Sequence, residues 1–129
     1  MEALHGLKVL IVEDETLVAM LIEEYLSELG CEVAFTASRV SKAQKFVQTS
    51  GFDVAVLDVN VAGESSVRLA EMLEARGIPF VFASGYGARG VDRRWRQFPV
   101  LQKPFTEGEL GTALLASLGR EMVSRFAPI

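Results

Sequence analysis

Cysteine is almost missing from this sequence: Cys31 stands alone among 129 residues. A lone cysteine excludes an internal disulfide and fits a reducing compartment. Histidine is just as scarce. His5 lies in a short N-terminal segment, away from every group that could form a site, which argues against a catalytic or metal-binding histidine. No charge of one sign dominates, and the net charge of −4 gives no global pull toward nucleic acid or anionic membranes. Long apolar runs are absent, and the N-terminus lacks a basic-then-apolar signal pattern. A cytoplasmic protein with no membrane association is therefore expected. There is no internal repeat, low-complexity tract or linker. Half of the residues are hydrophobic, which excludes disorder and suits a single domain over residues 1–129.

What is present alternates. "LKVLIV" (7–12) is β-rich and nearly all apolar, as in a strand buried on both faces. "TLVAMLIEEYLSELG" follows with Val18, Leu21, Ile22, Tyr25 and Leu29 at helical spacing and Gly30 as its stop. "CEVAFTA" reads as a second strand. "SRVSKAQKFVQTSG" reads as a second helix, capped by Ser38 and stopped by Gly51. "FDVAVLDVN" is a third strand. "SSVRLAEMLEARG" is a third helix, with Val67, Leu69, Ala70 and Leu73 facing inward. "IPFVFASGYG" and "FPVLQKPF" are the fourth and fifth strands. Between them, "GYGARGVDRRWRQF" predicts a short or irregular helix, because three glycines interrupt it. The last helix starts at a capping box, Thr106 with Glu109, and presents Leu110, Leu114 and Leu118 on one side. That stripe should pack on the sheet, any excess serving a weak homodimer. The expectation is an α/β fold: a doubly wound, five-stranded parallel sheet of flavodoxin-like order 2-1-3-4-5, with helices on both faces.

In such sheets ligands bind beyond the carboxyl ends of the strands. Those ends carry Glu13 and Asp14, then Asp58, then Ser84, then Lys103. Any one of them alone is an ordinary turn or surface residue. Together, in order, each ending a separate strand, they specify a chemistry. Three acids in one cleft call for a hard divalent cation with oxygen ligands, and Mg²⁺ fits. Asp58, alone on the middle strand, suits a nucleophile that forms an aspartyl phosphate. Lys103 supplies a cation for the phosphoryl oxygens, and the Ser84 hydroxyl can donate to one of them.

At these residues the sequence resembles the receiver domain of two-component response regulators, through "VEDE", "LDVN", "FASGYG" and "QKPF". The resemblance implies that Asp14 binds Mg²⁺ directly and Glu13 through water. It implies Asp58 as phospho-acceptor and metal ligand, the backbone carbonyl of Asn60 as a further ligand, Ser84 as switch hydroxyl and a cis bond at Lys103–Pro104. "PFVFASGYG" resembles a receiver subgroup named for a Phe-Ala-Thr-Gly-Tyr-like motif, common in alphaproteobacteria, where the receiver often stands alone. The implied phosphoryl donor is a sensor histidine kinase, of the HWE type in that subgroup, or a histidine phosphotransfer protein.

Three departures stand out. The aromatic switch expected three positions before the lysine is Val100, which leaves Tyr86 either as a substitute or as a half-buried loop aromatic. In "VNVAGESS", Ala62 replaces proline and Ser66 replaces glycine, so a looser loop is expected. The weak fourth helix implies a remodelled output face. Two alternatives remain: a pseudo-receiver that is never phosphorylated, and a haloacid-dehalogenase-like phosphatase. The second requires its nucleophile on the first strand and an acid where Asn60 stands. "RGVDRRWR" invites a nucleic-acid reading, but one basic cluster on an acidic chain favours a solvated or partner-binding face.

Overall fold

Lys8–Val12 forms strand β1, with four of its five residues buried, as a strand covered on both faces requires. The computed structural model describes the backbone of residues 2–126 and the side chains of residues 3–119. After β1 come helix α1 (Thr16–Glu28), β2 (Glu32–Ala37), α2 (Val40–Thr49) and β3 (Val54–Asp58). Two short strands, β4 (Asn60–Val61) and β5 (Glu64–Ser65), precede α3 (Val67–Ala75). Then follow β6 (Phe80–Ser84), the 3₁₀ turns Gly87–Gly90 and Arg93–Trp95, β7 (Val100–Gln102) and α4 (Glu107–Phe126). The main sheet has the order β2-β1-β3-β6-β7, and every neighbouring pair is parallel. Setting aside the β4–β5 hairpin, this is the expected 2-1-3-4-5 order.

Alternation along the strands divides the core in two. Val9, Ile11, Val54, Val56 and Val81 pack on Ile22 and Leu26 of α1 and on Leu110 and Leu114 of α4. Leu10, Val12, Ala55, Leu57, Phe80 and Phe82 pack on α2 and α3 across the other face. The sheet is thus buried on both sides, at about 1.5–3 kcal/mol for each large apolar side chain. Leu110 and Leu114 are fully buried and Leu118 packs at the core's edge, so the stripe on α4 is absorbed by the sheet. Cys31 is a small core residue whose Sγ approaches the Leu4 carbonyl at 3.4 Å, and burial raises its thiol pKa.

Several local expectations are corrected. Leu21 does not face inward; it is 42 % exposed, because α1 turns Ala19, Ile22 and Leu26 toward the sheet and leaves Leu21 on the flank. Ser38 does not cap α2: Ala37 is still paired with Val12, and Arg39 occupies the cap position in extended conformation without a side-chain bond. Val67 is only partly buried, while Leu69, Ala70 and Leu73 are fully so. The capping box is present, with Thr106 N donating to Glu109 Oε1 at 3.0 Å and Glu109 N to Thr106 Oγ1 at 3.1 Å. The weak fourth helix becomes two 3₁₀ turns anchored by Trp95, which packs among Phe80, Phe82 and Phe98.

The loop after Asp58 is tied rather than loose. Asn60–Val61 pairs antiparallel with Glu64–Ser65 around Ala62 and Gly63, whose φ values are 51° and 85°. Two positive φ values are the mark of a type I′ hairpin turn. Asn60 Oδ1 accepts the Gly63 N–H at 3.1 Å, and the buried Ser66 donates its hydroxyl to the Val59 carbonyl at 3.3 Å. Proline, fixed near φ −65°, cannot occupy position 62 in this hairpin. Alanine itself is strained there by about 1 kcal/mol. Ala62→Asn should therefore raise stability by about 0.5–1 kcal/mol, a gain readable from the urea midpoint at unchanged m-value.

Candidate functional site

The parallel sheet delivers its polar groups at one edge. Glu13 leaves β1 with its N–H bonded to the Ala37 carbonyl. Asp58 is the last residue of β3, and Lys103 follows β7 with its N–H bonded to the Ser84 carbonyl at 2.9 Å. Lys103 Nζ lies 2.6 Å from Glu13 Oε1 and 3.2 Å from Asp58 Oδ2. The second Glu13 oxygen accepts the Glu15 N–H at 3.1 Å, so this nearly inaccessible carboxylate is satisfied on both oxygens. Asp14 is exposed beside it. Glu13, Asp14 and Asp58 each place a carboxylate oxygen within 4.8 Å of the others. Residues 13, 14, 58 and 103 thus meet in one pocket.

The electrostatics follow from this crowding. Burial, reinforced by the Glu13 charge and only partly offset by Lys103, pushes the Asp58 carboxyl up to about 6. Burial alone would lower the Lys103 pKa, but its bond to Glu13 and the charges of Asp58 and Glu13 outweigh burial and raise it. A metal cation is thus not the sole answer to the three acids: Lys103 already pairs with two of them. Oxygens sharing one Mg²⁺ at about 2.1 Å lie roughly 3–4 Å apart, so this all-oxygen set with an exposed Asp14 suits that ion. Asn60 commits its side-chain oxygen to the hairpin and leaves only its backbone carbonyl for a ligand.

Ser84 ends β6 as expected, but its hydroxyl is not bonded to the acids. It is buried, and it accepts the Tyr86 N–H at 3.0 Å from the following loop. Tyr86 is 81 % exposed rather than half-buried, and Val100 is partly buried against the core. A residue the sequence did not single out, Gly90, packs its backbone on the Ser84 hydroxyl; only its glycine identity hinted at such an approach.

The arginine-bearing segment loses its nucleic-acid look. Trp95 is 2 % exposed and cannot stack on a base. Arg94 pairs with Glu74 at 3.0 Å and lies 4.0 Å from the centre of the Trp95 ring. Arg96 donates to the Ala88 and Val91 carbonyls. Among the described residues, no helix is long and apolar enough to cross a membrane.

Comparison with known proteins agrees with this fold. The family profile described as "Response regulator receiver domain" matches residues 9–115. The solution structure of SdrG from Sphingomonas melonis Fr1 superposes with a TM-score of 0.80 at 48 % identity, covering 92 % of this chain and 99 % of that one. The receiver domain of the PhyR response regulator from Erythrobacter litoralis superposes at 0.77 with 26 % identity, covering 98 % of each chain. Among curated proteins, the transcriptional regulatory protein PdtaR of Mycobacterium tuberculosis is 27 % identical over 117 residues. That match takes in 88 % of this chain but spans only 57 % of PdtaR.

Proposed function

This chain belongs to the response regulator receiver family, and from that premise we propose that it is a phosphorelay switch whose phospho-acceptor is Asp58. The observation that carries the reading is the Glu13–Lys103–Asp58 contact beside Asp14. A nucleophile, a cation and spare carboxylate oxygens meet there at the carboxyl edge of the sheet.

In the proposed reaction an Asp58 carboxylate oxygen attacks phosphorus in line. The P–N bond of a phosphohistidine breaks, and its electron pair leaves with the imidazole. Asp14, Asp58 and the Asn60 carbonyl would hold Mg²⁺, with Glu13 beside them, and the ion would neutralise charge on the phosphoryl oxygens. Lys103, already 3.2 Å from Asp58 Oδ2, can follow a phosphoryl oxygen once Asp58 carries the acyl phosphate. Ser84 Oγ accepts the Tyr86 N–H and keeps its own proton, and in this proposal the hydroxyl turns toward Asp58 to donate that proton to another phosphoryl oxygen. Asn60 cannot shuttle protons, so slow self-dephosphorylation and no multiple turnover on phosphate esters are expected.

The donor's approach also has a surface to use. A groove of about 310 Å³ runs up to Lys103, lined by Glu15, Val18, Leu21, Ile22, Lys103, Pro104 and Phe105. Leu17 and Met20 lie exposed on the same helix. An apolar helical surface carrying a phosphohistidine, as on a histidine kinase or phosphotransfer protein, fits there. Output is proposed through partner binding or through draining phosphoryl groups from the donor. Support from relatives includes the beryllofluoride-activated conformation solved for SdrG, 46 % identical over 86 % of this chain.

The test is incubation with acetyl phosphate and Mg²⁺ followed by intact mass. Wild type should gain one phosphoryl group and Asp58→Asn none. Silence of the wild type, with beryllofluoride also unbound, would favour the pseudo-receiver reading.

A further inference from the structure

Ser84 carries a buried hydroxyl with one bond, from the Tyr86 N–H, and with Gly90 directly against it. A Cβ built on Gly90 would overlap Ser84 Oγ outright, and would fall 3.0 Å from Ser84 Cβ and 3.6 Å from Tyr86 Cβ. At Gly30 and Gly87 the closest approach of such a Cβ is 3.2 Å, and at Gly108 it is 3.9 Å. Gly90 is not among the positive-φ residues, so backbone conformation does not demand glycine there. What demands it is the space that the hydroxyl occupies.

We propose that Gly90 is a positioning residue for Ser84, its missing side chain forming the socket that holds the hydroxyl on the 86–90 turn. The inference rests on the receiver reading for its consequence, though not for its geometry. In this state the hydroxyl is parked in the socket. In the proposal, donation to a phosphoryl oxygen on Asp58 turns the hydroxyl out of the socket, and the 3₁₀ turn Gly87–Gly90 then loses the oxygen it packs around. The socket therefore sets how readily the switch is thrown. A methyl group at position 90 is intolerable while the hydroxyl is parked and costs less once it has left. A change that penalises the resting state more than the phosphorylated one shifts the balance toward the latter.

The experiment uses four proteins spanning residues 1–129: wild type, Gly90→Ala, Ser84→Ala and the double variant. Beryllofluoride binding with Mg²⁺ is measured by calorimetry, and thermal unfolding is measured without either. Gly90→Ala should tighten beryllofluoride binding by about tenfold and lower the melting temperature of the resting protein. In the Ser84→Ala background both effects should shrink severalfold, because the overlapping oxygen is gone. Equal or weaker beryllofluoride binding by Gly90→Ala would overturn the proposal, as would undiminished effects in the Ser84→Ala background. If Gly90→Ala alone fails to fold, folding of the double variant supports the socket and its failure refutes it. If the wild type does not bind beryllofluoride, the phosphorelay reading fails by itself, and the melting temperatures of the four proteins still decide the socket.

Discussion

Lys103→Met is expected to destabilise the metal-free protein by about 3 kcal/mol at pH 8. The side chain lies 2.6 Å from a Glu13 oxygen and 3.2 Å from an Asp58 oxygen. Glu13 is 1 % exposed at its side chain, so water cannot replace the ammonium. Methionine keeps much of the apolar stem and removes only the charge. Breaking a buried pair from one side costs about 3–5 kcal/mol, because the abandoned charge stays buried. The lower end applies here, since Lys103 is 19 % exposed and Glu13 keeps the Glu15 N–H. The Lys103 pKa is raised in the folded state. Its contribution is therefore complete below 10.5 and is lost only as pH rises through the folded value, so pH 8 lies within the window. Urea unfolding with a chelator present measures the loss. Millimolar Mg²⁺ should restore part of it by supplying the missing positive charge. An unchanged midpoint would mean that Lys103 is not the counter-charge of the pocket.

Asp58→Asn should act in the opposite direction, stabilising the metal-free protein by about 2 kcal/mol at pH 7.5. Burial and the Glu13 charge carry the Asp58 carboxyl from 3.8 to about 6. A folded pKa above the unfolded one means that the folded state holds its proton more tightly. Stability is then greatest below 3.8, falls as pH rises to about 6, and stays low above that. An amide has the carboxyl's shape without its ionisation, so it escapes this loss. The gain should vanish near pH 4, where Asp58 is protonated in the folded protein, and saturating Mg²⁺ should shrink it at neutral pH. Paired melting curves of both proteins at pH 4 and 7.5 decide the matter. A gain independent of pH would locate its origin in packing rather than charge.

These effects arise where the sequence was most readable. Runs such as Lys8–Val12 and Phe80–Ser84 are apolar without alternation, and burial on both faces of a parallel sheet is what such runs require. Once the strands are ordered, Glu13, Asp58 and Lys103 fall on one edge by topology alone. Details that depend on three-dimensional neighbours were not readable. Ala62 takes a left-handed conformation that local propensity disfavours, because Asn60 and Ser65 pair across it. Leu21 looks like a core residue until the rotation of α1 turns it toward the groove beside Lys103. Ser84 was legible as a strand end, but its bond to the Tyr86 N–H was not. A hydroxyl's partner depends on a loop path that three glycines leave open. The paired role of Lys103, holding Glu13 as well as facing Asp58, was hidden too, since 90 positions of sequence separate it from Glu13.

The central claim is that Asp58 accepts the phosphoryl group in a pocket completed by Mg²⁺. Borohydride reduction of protein treated with acetyl phosphate converts an aspartyl phosphate to homoserine, which tandem mass spectrometry locates in the chain. The account predicts homoserine at position 58 alone, and only when Mg²⁺ was present. Homoserine at any other aspartate, or equal labelling at position 58 in excess chelator, would contradict it.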